Sequence, residues 1–180
     1  MTPRTPEWLR EQGRIAKSEH RLEDSRNLFA EALTECLRGA DRVLTAVLYE
    51  ELAYVERNLL NLDAAQWHYR EAGEIYRSLD NPLKTAHTIR HAADILREQE
   101  RPDDAAQLYA ESLEIYRRCK ETPLLDLANA IRGFALLKEQ TGDRQEALNL
   151  WREARDLYQQ TGIAAGVSES DVRIRSLRVD

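Results

Sequence analysis

Two histidines and a carboxylate stand close together in the stretch HTIRHAAD: His87, His91 and Asp94. Histidines four apart on a helix share a face, and can hold a metal ion when further ligands converge on them. No such ligands accompany this pair, so a polar helix face is the favoured reading and no metal is expected. Cys36 and Cys119 lie far apart, with neither CxxC spacing nor an adjacent base that would activate a thiolate. Carboxylates are plentiful, but none stands in an apolar run of the kind that tunes a carboxyl group for acid–base work. The signatures GxGxxG, GxxxxGK[ST], GxSxG and HExxH are all absent. Catalysis is therefore not expected, nor is a cofactor.

The elements that position these groups are legible. The 180 residues are 42% apolar and 32% charged, with seven glycines and five prolines, a profile of a helix-rich globular chain. No apolar stretch approaches the roughly 18 residues that would span a bilayer. The opening MTPRTPEWLREQGR lacks the apolar run of a secretory leader, and the sparse cysteines fit a reducing compartment, so a cytoplasmic setting is expected. The net charge of −6 argues against general affinity for nucleic-acid backbones.

Residues 63–78 (DAAQWHYREAGEIYRS) and 103–118 (DDAAQLYAESLEIYRR) agree at eight of sixteen positions without a gap. Two further copies, 23–36 and 145–158, fall in phase with them. Each opens on a small residue (Ser25, Ala65, Ala105, Ala147). A ring follows four later (Phe29, Tyr69, Tyr109, Trp151), then a small residue three later (Ala32, Ala72, Ser112, Ala154). Cys36, Tyr76, Tyr116 and Tyr158 close the set, and offsets of 4, 3 and 4 put all of these on one helical face. A second pattern precedes each copy. Leu9, Tyr49, Ile89 and Ile131 head it, with Gly13, Ala53, Ala93 and Ala135 four later, then Ile15, Val55, Ile95 and Leu137. Asn81-Pro82 and Thr122-Pro123 read as a capping side chain before a first-turn proline, while Arg101-Pro102-Asp103 and Thr141-Gly142-Asp143 read as tight turns. The pattern predicts eight helices of about thirteen to eighteen residues in four antiparallel pairs, and no sheet.

These columns and spacings resemble the tetratricopeptide repeat (TPR), a helix–turn–helix unit, here in a long form with a period of 40–42 residues. The segment IRGFALLKEQTGDRQEALNLWREARDLYQQTG carries the pattern most fully. The resemblance implies an all-α, right-handed α-solenoid of four such repeats, about 6–40, 41–80, 81–121 and 122–161, within a single domain over 1–180. A capping helix over about 163–177 would follow, its Val167, Ser170, Ile174 and Leu177 covering the last exposed core. The proline that closes the second helix of the family's repeats is missing, so those helices should run on. Gly162 and Gly166 form a GxxxG that reads as chance outside a membrane. Trp67 stands in a column otherwise held by Asn27, Gln107 and Asn149 and should face solvent, as surface chance in preference to a self-association patch.

The family binds along a concave surface lined by the first helix of each repeat. Carried over residue by residue, its groove positions are Arg10, Arg14, Lys17, Glu50, Tyr54, Arg57, Arg90, Asp94, Arg97, Arg132, Leu136 and Glu139, seven basic against three acidic. Asn58, His87 and Asn129 flank them as hydrogen-bonding groups, whereas Glu31, Glu71, Glu111 and Glu153 form an outward acidic column. Arg10, Arg14 and Arg90 also match three positions of a carboxylate clamp found in some members, in which Tyr54 and Asp94 replace other required residues. The resemblance thus implies a non-catalytic scaffold for a protein or peptide, acidic or bearing a free carboxylate, held by Arg10, Arg14, Lys17, Tyr54, Arg57, Asn58, His87, Arg90, Asp94, Arg97, Asn129 and Arg132. The alternative is a structural or homodimerising module without a groove ligand. Single-stranded RNA binding ranks below both, since Tyr54 alone interleaves with the arginines for stacking.

Overall fold

The computed structural model describes residues 4–178 and contains, among them, nine α-helices and no strand. They are α1 (Pro6–Ser18), α2 (Leu22–Gly39), α3 (Arg42–Asn58), α4 (Leu62–Ser78), α5 (Pro82–Glu98), α6 (Pro102–Arg118), α7 (Leu124–Gln140), α8 (Arg144–Gln160) and α9 (Ala164–Ser176). None is long and apolar enough to cross a membrane. Internal contacts divide the chain into two compact units, Met1–Thr88 and Ile89–Asp180.

Local chemistry sets the helix ends. Free N–H groups in a first turn need acceptors. Asp41 supplies one to Leu44 N at 3.0 Å and Asn81 one to Lys84 N at 3.1 Å, the latter as expected before Pro82. The far ends close on single left-handed residues at a fixed interval: His20, Ala40, Leu60, Asp80 and Glu100, then Gly142 and Gly162. In most of these turns the next N–H reaches back five residues, as from Asn61 to the Glu56 carbonyl at 2.9 Å and from Arg101 to Leu96 at 2.9 Å. The α6–α7 joint differs. Cys119 is extended there, Pro123 is itself the N-cap residue, and Thr122 donates its hydroxyl to the Tyr116 carbonyl at 2.7 Å. Thr122 does not cap α7, because that hydroxyl is spent on a carbonyl left open at the end of α6.

All sixteen members of the four second-helix columns are buried, from Ser25, Phe29, Ala32 and Cys36 to Ala147, Trp151, Ala154 and Tyr158. The small residues let backbones approach, as where Ser25 Oγ donates to the Gly13 carbonyl at 2.9 Å. The rings fill the space beside them, and burying a side chain such as Phe29 is worth about 2–3 kcal/mol. In the first unit Leu9, Phe29, Leu48, Leu52, Val55 and Tyr76 share a core; in the second, Ala93, Leu96, Ala105, Tyr109 and Leu137 do, with Phe134 stacked on Tyr109 at 5.6 Å. Ile15 departs from its column. It is 40% exposed, whereas Val55 and Ile95 are fully buried. In α9 the expected face is inward: Ser170 and Ile174 are buried, Val167 and Leu177 partly so.

Candidate functional site

Within the first unit, α1 and α3 carry a cationic and aromatic face. Lys17 Nζ lies 4.8 Å from the Tyr54 ring centroid and bonds to Glu51 Oε2 at 2.5 Å; Arg10 lies 3.6 Å from the other Glu51 oxygen. Arg14, on the same helix, meets the exposed Glu11 at 3.5 Å and keeps 53% of its side chain in water. Tyr54 is 47% exposed. Asn58 is an outward group whose amide is committed to the Tyr54 carbonyl at 2.7 Å. Arg57 is half-buried on the last turn of α3.

Glu50, beside this face, accepts from the Tyr76 hydroxyl at 2.7 Å and from Lys84 at 3.4 Å, and stands 3.8 Å from His87. Burial, and then the bond to Glu50, push the Tyr76 phenol far above its ordinary range. Sequence reasoning missed Glu51, Lys84 and Tyr76. The groove offsets named Glu50 but stopped one residue short of Glu51, which receives both Arg10 and Lys17.

Within the second unit the same logic is buried deeper. Asp94 accepts from the Tyr109 hydroxyl at 2.6 Å and from Arg90 Nη1 at 3.1 Å, with His91 Nδ1 at 3.4 Å. Burial alone would raise its pKa. Hydrogen bonding from His91, the charges of Arg90 and His91, and the Tyr109 hydroxyl outweigh that and hold it down to about 2. Gly133 belongs to this packing: a Cβ there would lie 2.7 Å from Tyr109 Cε1 and 3.0 Å from Asp94 Oδ1. The Arg97 side chain is 84% buried beside Glu98, at 3.9 Å. Asn129 accepts from the Tyr158 hydroxyl at 2.8 Å, and Glu139 accepts from the Trp151 indole N–H. Arg132 grips Glu169 of α9 with two bonds, at 2.6 and 2.7 Å.

Four second-helix rings, across both units, follow one rule. A second-helix ring buries its body, and its polar tip needs an acceptor. Tyr76, Tyr109, Trp151 and Tyr158 find theirs in Glu50, Asp94, Glu139 and Asn129 on first helices. The three acids counted among the groove positions are thus consumed by aromatic tips. Several of the bases then neutralise carboxylates, as Arg10 and Lys17 do Glu51, Arg90 does Asp94 and Arg132 does Glu169. Arg14 and Tyr54 present cationic and aromatic surface to water, with Lys17, paired to Glu51, lying over the Tyr54 ring.

His87 faces Glu50 and His91 faces Asp94, and no group of three or more metal-binding side chains occurs among the described residues. Trp67 is 44% exposed as expected, but not isolated. Its ring meets Tyr49 edge-on at 5.6 Å and His68 at 4.9 Å, and burial lowers the His68 pKa.

The tetratricopeptide repeat family matches residues 84–160. No curated protein sequence matches the chain significantly. Among solved structures, BtubC (BKLC) from P. vanneervenii superposes with a TM-score of 0.83 at 20% identity, over 95% of this chain and 70% of that one. The apo form of RapI gives 0.84 at 15% identity, over 92% of this chain and 60% of its own. A Rap protein complexed with competence and sporulation factor gives 0.76 at 15% identity, over 94% and 47%. This chain therefore spans less than two thirds of either Rap protein. Residues 84–160 are tetratricopeptide repeats, and the chain carries the TPR-like helical-repeat fold of the Rap proteins and BtubC.

Proposed function

We propose that the chain is a non-catalytic protein-binding scaffold, and that first-helix side chains receive an extended, acidic segment of a partner. The observation that carries this reading is the exposed Arg14 and Tyr54, with Lys17 lying over the Tyr54 ring, in a protein of net charge −6. A cationic strip on an acidic body steers and orients an anionic chain, and arginine receives carboxylates through a two-pronged geometry. The complex of a Rap protein with competence and sporulation factor is a precedent for ligand capture by this fold. On this reading Arg10, Arg57, Asn58 and His87 act at the margins of the first unit's contact; in the second unit, taken by itself, Arg90, Asp94, Arg97 and Asn129 serve as a rigid support and Arg132 is a carboxylate-binding group of its own. A cytoplasmic setting suits it, since Cys36 and Cys119 are both free thiols.

The test is a titration of fluorescent Asp/Glu-rich and Lys/Arg-rich peptides against the full chain. The acidic peptide should bind and weaken with added salt, and Arg14→Glu with Lys17→Glu should cost at least about tenfold in affinity. Equal binding of both peptides, or an unchanged affinity in the double variant, refutes the reading.

A further inference from the structure

Helix α9 is attached differently from the helix before it. The preceding α8 buries Leu150, Trp151 and Tyr158, whereas α9 buries only Gly166, Ser170 and Ile174. Gly166 is needed for contact, since a Cβ there would collide with the Tyr158 ring. With one large apolar side chain fully buried, polar contacts share in the holding. Arg132 grips Glu169 through Nε and Nη2 at 2.6 and 2.7 Å; Arg173 bonds Glu139 at 3.1 Å; Arg144 Nε donates to the Leu177 carbonyl at 2.6 Å. The Arg132 and Glu169 side chains are 39% and 30% exposed, so ions screen their attraction.

The geometry at Arg132 is a guanidinium fork closed on a carboxylate, the arrangement an incoming Asp or Glu side chain would make. We infer that Glu169 is a built-in occupant of a carboxylate site at Arg132, so that docking of α9 and capture of an acidic partner segment there exclude one another. The inference rests on the scaffold reading above and adds a control to it. Glu169 is tethered and meets Arg132 at a high effective concentration, so only a segment offering several carboxylates competes well. Displacing Glu169 removes the one bidentate ion pair that ties α9 to α7. The helix then loosens as the partner binds.

Two measurements on the full chain test this. Hydrogen exchange read by mass spectrometry should show α9 amides less protected in Glu169→Gln than in the native chain, and less protected in 0.5 M than in 0.05 M NaCl as the ionic attachment is screened. The Asp/Glu-rich peptide should bind Glu169→Gln about tenfold more tightly, since the competent state no longer has to be released. The reversed pair, Arg132→Glu with Glu169→Arg, should restore α9 protection without restoring that gain, and it guards against simple misfolding. Unchanged α9 protection in Glu169→Gln overturns the latch, whatever the peptide does. Loosened α9 with no gain in peptide affinity overturns the mutual exclusion. A peptide that binds neither protein overturns both the carboxylate site and the scaffold reading.

Discussion

Asp94 shows how one side chain can look like a ligand-binding group and be a structural one. Its carboxylate is nearly buried and serves the Tyr109 hydroxyl, Arg90 and His91 together. With a native pKa of about 2 against an ordinary 3.8, the charged form is favoured by folding. A depressed carboxyl pKa contributes stability that is complete above the unfolded value and is lost as pH falls through the folded one. The contribution is about 2 kcal/mol at neutral pH, so urea-unfolding curves should hold steady from pH 7 to about 5 and lose that amount between about pH 4 and 2. Asp94→Asn should be destabilised at pH 7 and show a shallower acid limb; an identical acid limb would contradict the assignment. The sequence made Asp94 visible through its place on a helix face, but not its job. That depended on the polar tip of Tyr109, fifteen residues away, which a spacing rule cannot aim. Glu51 was invisible for the converse reason, since one residue of rotation around α3 separates a named groove position from the group that neutralises two basic side chains.

The helices themselves were the most legible level. Their lengths, their pairing and all sixteen buried second-helix positions follow from a period of about 3.6 within each helix and about 40 between repeats. What escaped was set by neighbours and turns. Ile15 repeats the chemistry of Val55 but lies on a flank of α1 left open among the described residues, and Thr122 found a carbonyl to satisfy instead of a helix to cap. The turns also hold unspent stability. Leu60 sits at φ 64 with 82% of its surface exposed, a left-handed conformation that crowds any residue with a Cβ. Leu60→Gly should therefore raise the unfolding free energy by about 0.5 kcal/mol, the relief of that crowding outweighing the greater entropy of glycine in the unfolded chain. A lower urea midpoint would show that the Leu60 side chain contributes more than its exposure suggests.

At the scale of the whole chain, the charges sort by what each surface must do. Second-helix glutamates pair with nearby bases, as Glu31 does with Arg4 and Glu153 with Arg117, and the first-helix acids Glu50 and Asp94 accept from buried rings. Arg14, and the excess of Arg10 and Lys17 over the single Glu51 they share, give an acidic protein a local positive field. Left-handed residues recur at 20, 40, 60, 80 and 100, then at 142 and 162, so the chain counts in steps of twenty with one lapse. The lapse is the α6–α7 joint, and the two surplus residues of the 42-residue repeat are absorbed there. Chain length is thus elastic at one place and rationed elsewhere. A Gly-Ser pair spliced between Glu121 and Thr122 should cost no more than about 1 kcal/mol, because it only lengthens an open loop. The same pair after Leu60 should prevent cooperative folding of the first unit, measured by the sharpness of the thermal transition. For anyone wishing to carry a tag, a fluorophore or a cleavage sequence on this scaffold, that joint is the seam to open.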